Sequence, residues 1–134
     1  MPDGNHLVAI DTILAILVGL LASFRVSQMR VKHGIHGPAM AGHPDFERAC
    51  RAHGNTIENM ILFIPALWMA AFFFGGQIPF WIGLVWIVGR VIYIFGYAQN
   101  DTRMRAPGAG LSYAALIGLL IVAGLGLFGV QFQL

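Results

Sequence analysis

Arginine, asparagine and glutamate recur at helical spacing inside an otherwise lipid-soluble chain. In residues 45–65, DFERACRAHGNTIENMILFIP, the side chains Arg48, Arg51, Asn55, Glu58 and Leu62 follow one another by three or four positions and so share one helix face. Two further stripes obey the same rule: Ser23, Ser27 and Arg30, and Arg90, Tyr93 and Tyr97. Arg105 lies just past the last of them. Guanidinium groups bind carboxylates by paired charge-assisted hydrogen bonds. A carboxylate such as Glu58 suits an amine, and phenols or a guanidinium stabilise an anion. A ligand with two carboxylates and one amine is complementary to that set. A thiol on the same ligand would be activated beside an arginine, because the thiolate is the nucleophile. The same residues also suit a structural network of buried ion pairs.

The elements that must carry these side chains are read from hydropathy. The chain has 134 residues, of which 57% are hydrophobic and only 10% charged. Its mean hydropathy is +0.72. Soluble domains carry roughly 25% charged residues, so this is an integral membrane protein with one domain, residues 1–134. Four spans are expected, at about 7–29, 45–74, 79–98 and 108–130, giving an all-α, four-helix transmembrane bundle. The opening MPDGNH lacks the basic stretch of a cleaved signal peptide, so the first apolar run is expected to stay.

The punctuation supports these bounds. Residues 31–44, VKHGIHGPAMAGHP, form a glycine- and proline-rich loop. Its His33, His36 and His43 match no helix-borne metal spacing and no cysteine accompanies them, so no metal is expected. Asp45 and Glu47 suit the positive end of the second helix, and Gly75-Gly76 ends it. Pro65 is expected to kink it near Ile61. Pro79 suits the start of the third helix. Residues 99–110, with Pro107, read as a turn leading into the fourth. The single cysteine, Cys50, excludes an intrachain disulfide and reads as a small packed residue.

The eight basic residues all lie in or beside the first and third connections. The positive-inside rule places those connections in the cytoplasm and both termini outside. All three polar stripes then fall in the cytoplasmic leaflet. Ionisable groups there are costly unless they face protein or a cavity. A transport pathway would need polar groups in both leaflets, and the outer half has essentially only Asp11. Nothing in the composition points to nucleic acid.

At these same residues the sequence resembles a known family. ERACRAHGNTIEN followed by a Phe-x-Pro turn, and GRVIYIFGY followed by RAP, are similar to the MAPEG family (membrane-associated proteins in eicosanoid and glutathione metabolism), in particular its bacterial-type microsomal glutathione transferase-like members. The resemblance implies a homotrimer that binds glutathione between neighbouring subunits and turns it on lipophilic electrophiles or lipid hydroperoxides. Non-catalytic lipid-binding members exist, so a binding module is the alternative within the family. Carried over by position, Arg51, Asn55 and Glu58, with Asn59 beside them, match glutathione-binding positions on helix two. Arg90, Tyr93 and Tyr97 match those on helix three. Arg30 and His53 would come from the adjoining subunit. The thiolate-stabilising arginine of family enzymes falls here on Met104 in one branch and Ala109 in another. Arg105 is therefore the expected catalytic arginine, with Tyr93 and Tyr97 as donors to the sulfur. Thr56 stands where the prostaglandin-isomerase branch has Asp, which argues against that activity.

Overall fold

The computed structural model describes residues 4–130, so the terminal residues 1–3 and 131–134, including the ends expected outside the membrane, lie beyond it. Four α-helices follow in order: α1 Asn5–Lys32, α2 Pro44–Phe74, α3 Gln77–Ala98 and α4 Thr102–Leu127. They contain 28, 31, 22 and 26 residues. At 1.5 Å per residue each is longer than the ~30 Å hydrocarbon layer. All four are apolar enough to cross a membrane. Large apolar side chains cover the outside, among them Phe72 at 81% exposure and Trp81 at 66%. Such a surface belongs against lipid, and the chain is a multi-pass integral membrane protein.

Local chemistry explains the helix ends, and two of them differ from the sequence reading. The His43 ring accepts the Asp45 N–H at 3.2 Å and caps α2, with Pro44 in the first position. Two histidines of the first loop thus close helices instead of lying free, since His33 ends α1. α4 starts at Thr102, not near residue 108. The Asp101 carboxylate accepts the Arg103 N–H at 2.8 Å and caps the helix ahead of the proline. Pro107 therefore sits inside α4, where it forfeits one backbone bond rather than breaking the element. α3 begins at Gln77, with Pro79 still in its first turn, where the missing N–H costs nothing. Pro65 lies within an uninterrupted α2.

α3 packs most extensively on α4; α2 touches all three other helices, and α1 touches α2 and α3 but not α4. The centre is aromatic and aliphatic: the Phe63 and Trp86 rings stack at 4.0 Å, with Leu67 and Leu119 fully buried around them. Near the other end of α1, Asp11 is fully buried and neither carboxylate oxygen has a hydrogen-bond partner among the described residues. It fits because Gly83 of α3 has no side chain; a Cβ there would collide with the Asp11 carboxylate.

Candidate functional site

The α3–α4 seam places the expected catalytic residues. Gly89, Gly96 and Gly108 let the two backbones meet: a Cβ on Gly96 would stand 2.6 Å from the Arg105 nitrogen, and one on Gly108 2.6 Å from that of Tyr93. Small residues at such positions are the usual means of close helix approach in lipid. The approach carries the Arg105 guanidinium to 4.7 Å from the Tyr97 ring centroid. Tyr97 in turn meets the Tyr93 ring edge-on at 5.0 Å. Arg105, Tyr97 and Tyr93 therefore form one cluster, with Tyr93 buried and the other two half-exposed.

The cluster continues inward through Arg90. This side chain is fully buried and lies under the rings of Tyr93 at 5.0 Å, Trp86 at 5.8 Å and Tyr113 at 5.8 Å. Its Nη1 donates to Asn55 Oδ1 at 2.9 Å, whereas Nε and Nη2 have no hydrogen-bond partner among the described residues. The aromatic faces supply the electrostatic compensation that hydrogen bonds do not. Asn55 and Arg90 are thus joined to each other across α2 and α3, and Arg90 is closed off from ligands in this chain. The arrangement links α2 to α4 through a continuous path: Asn55, Arg90, Tyr93, Tyr97, Arg105.

On α2, Arg51 and Glu58 are exposed, and within the described residues neither has a hydrogen bond or ion pair. His53 is half-buried beside them. Arg48 of the same stripe is taken by an ion pair with Asp45. Two more of the expected glutathione ligands make bonds within the chain. Asn59 faces the bundle interior, 3% exposed, where its Oδ1 accepts the Trp86 indole N–H at 2.6 Å. A one-residue step from Glu58 rotates it about 100° round the helix, which takes it off the outer face. Arg30 is bound within its own chain: it donates to the Ala39 carbonyl at 2.8 Å and lies over the Phe46 ring at 4.7 Å. It holds the first loop against α2.

His33, His43 and Asp45 bring three ligand atoms within 4.8 Å of one another. The two imidazoles stack at 3.5 Å with only 13° between their planes, so their in-plane lone pairs run side by side instead of converging. The Asp45 carboxylate also pairs with Arg48. This is the geometry of a helix-capping cluster. Trp86, Tyr113 and the Asn59–Trp86 bond were not among the expected site features. Their only sequence signal is that Trp86, Arg90 and Tyr93 share a face of α3, and nothing places Tyr113 on α4 opposite them.

A family model described as the MAPEG family matches residues 8–125 of the chain. Microsomal glutathione S-transferase 2 of Homo sapiens is 34% identical over 127 residues, covering 95% of this chain and 86% of that protein. Leukotriene C4 synthase of Cavia porcellus is 36% identical, with 95% and 84% covered. The uncharacterized protein sll1147 of Synechocystis sp. is 35% identical over 126 residues, with 94% and 89% covered.

Proposed function

The chain belongs to the MAPEG family, and from that premise we propose that it is a membrane glutathione transferase that activates the glutathione thiol at the Arg105–Tyr97–Tyr93 cluster. The observation that carries this reading is the position of Arg105, 4.7 Å over Tyr97 at the head of an aromatic path. A thiol with a pKa near 8.5 is mostly protonated at neutral pH. A guanidinium in a partly water-excluded site favours its charged form. The Tyr93 and Tyr97 hydroxyls donate hydrogen bonds to the same sulfur.

The unpaired Arg51 and Glu58 supply a cation for a glutathione carboxylate and an anion for its amine. Asn55 and Arg90 hold the tyrosines in place from behind. α1 and α4 do not meet within one chain, so both flanks are free to meet neighbouring copies. This supports a homotrimer with glutathione between subunits, His53 reaching in from the adjoining one. The basic connections lie on the cytoplasmic side and the termini outside. In the transfer step the thiol proton passes to solvent, sulfur bonds to the electrophilic carbon, and the leaving group departs with the electron pair. With a lipid hydroperoxide, two glutathiones are oxidised to the disulfide while the hydroperoxide is reduced to alcohol and water. Relatives named as glutathione S-transferase and leukotriene C4 synthase support glutathione as the co-substrate and a lipophilic second substrate.

The test is turnover of chlorodinitrobenzene, from which the sulfur displaces chloride. Arg105→Ala should cut kcat roughly 100-fold or more while glutathione affinity changes little, the pattern of a lost transition-state interaction. Arg103→Ala, exposed and bonded only through its backbone, should keep near-parental kcat. Normal turnover by Arg105→Ala would move the thiolate site. A parent inert towards every electrophile and hydroperoxide, yet binding glutathione, would make the protein a binding module.

A further inference from the structure

A second cationic site lies between the ends of α1, α2 and α3, behind Tyr97. It is a cavity of about 150 Å³ into which α1 turns Arg25 and Lys32, α2 turns Asp45, and α3 turns Tyr97. Its walls are otherwise small and apolar, chiefly Ala22, Ala49 and Ala52. Arg25 and Lys32 are seven residues apart, so they project from one face about 10 Å apart along the helix.

Its charge is uncompensated. Among the described residues neither Arg25 nor Lys32 has an ion pair; Arg25 has only the Phe95 ring, at 5.9 Å. The single acid of the cavity, Asp45, is already neutralised by Arg48 and faced by His33 Nε2 at 3.6 Å. Lys32 is the last residue of α1. That puts it at the level of lipid head groups, with Arg25 just beneath at the edge of the hydrocarbon. The space holds one tetrahedral oxyanion and is too small for a tripeptide. A shallow hollow on the outer face of α1 shares Met29 and Lys32 with the cavity and is otherwise lined by Phe24, Ser27, Gln28 and Val31. An oxyanion site bordered by the exposed apolar side chains of Phe24 and Val31 has the chemistry of one amphiphile.

We propose that this cavity binds the phosphate of an anionic membrane phospholipid, with Arg25 and Lys32 as donors and an acyl chain against the exposed Phe24 and Val31 of α1. The guanidinium forks onto two phosphate oxygens. The same oxyanion chemistry admits free phosphate, and the exposed apolar side chains beside it favour the lipid. The cavity borders the proposed thiol site at Tyr97 but has its own cations, Arg25 and Lys32, and stands or falls without that chemistry.

The experiment is native mass spectrometry of the purified protein with phosphatidylglycerol, phosphatidylcholine or inorganic phosphate added separately. The parent should retain phosphatidylglycerol over phosphatidylcholine. Arg25→Gln with Lys32→Gln should weaken that retention about tenfold or more, the scale of one charge-assisted hydrogen bond. Ala49→Leu, which fills the cavity without changing charge, should weaken it too. Arg103→Gln removes a positive charge elsewhere and should leave it intact. Retention of inorganic phosphate alone, lost in the double variant, would keep the oxyanion site and assign it to the free ion. Equal losses in Arg103→Gln and the double variant would overturn the proposal, since general charge attraction would then suffice. So would a parent indifferent to both phosphatidylglycerol and phosphate. Circular dichroism and thermal midpoints of each variant separate lost binding from lost folding.

Discussion

Arg51 and Glu58 differ from the other polar residues of their helix stripe in having no hydrogen bond or ion pair among the described residues. Arg48 is paired with Asp45, and Asn55 is paired with Arg90. Exposed charges on a lipid-facing helix need a partner from outside the chain. Arg51→Ala and Glu58→Ala should each weaken glutathione about tenfold or more by isothermal calorimetry, the loss of one charge-assisted hydrogen bond. Unchanged affinity in both would place the peptide elsewhere. The contrast between these two and Asn59 marks how far spacing alone reaches. Positions three and four apart put Arg51, Asn55 and Glu58 on one face, and the structure keeps them there. Asn59 was grouped with them by proximity in sequence, but its bond to Trp86 depends on a neighbouring helix that spacing does not encode. Arg30 was expected to reach an adjoining subunit because the family resemblance implies it, and within the chain a loop that folds back supplies an acceptor for it.

At the scale of elements, hydropathy found four helices because lipid demands long apolar runs with satisfied backbones. The start of α4 was misplaced because a proline followed by glycines reads as a turn, and only the Asp101 cap reveals that the helix is already under way. That extra turn and a half matters, since it is what carries Arg105 on a helix rather than on a loop. The close α3–α4 seam was partly legible in the glycines, but not which of them touch. Gly96 is the sharpest case: it abuts the Arg105 backbone. Gly96→Val should therefore push α4 outward and lower chlorodinitrobenzene turnover more than tenfold. Gly110→Val on the open side of α4 has free space and should leave turnover near the parental value. Equal activity of the two variants would show that the seam does not position the site.

For the whole molecule, the arrangement of contacts predicts assembly. One subunit leaves Arg51 and Glu58 on its outer surface and keeps α1 and α4 apart. A trimer would bury both exposed charges and close the gap. Mass photometry in mild detergent should give three protein copies per particle, and a folded monomer would argue strongly against an intersubunit site.

The buried Asp11 bears on how the chain is made. α1 reaches the membrane before α3, and it arrives carrying a carboxyl group before Gly83 of α3 exists to enclose it. An acidic residue taxes insertion of a span by up to roughly 2.5–3.5 kcal/mol at mid-membrane, and less near an end. The nascent α1 is therefore unsettled until α3 emerges and shelters that group. Chains halted after Gly75 should show α1 less protected from added protease than the same chains with Asp11→Leu. In full-length chains the order should reverse, because leucine cannot fit where Gly83 closes on the shorter side chain.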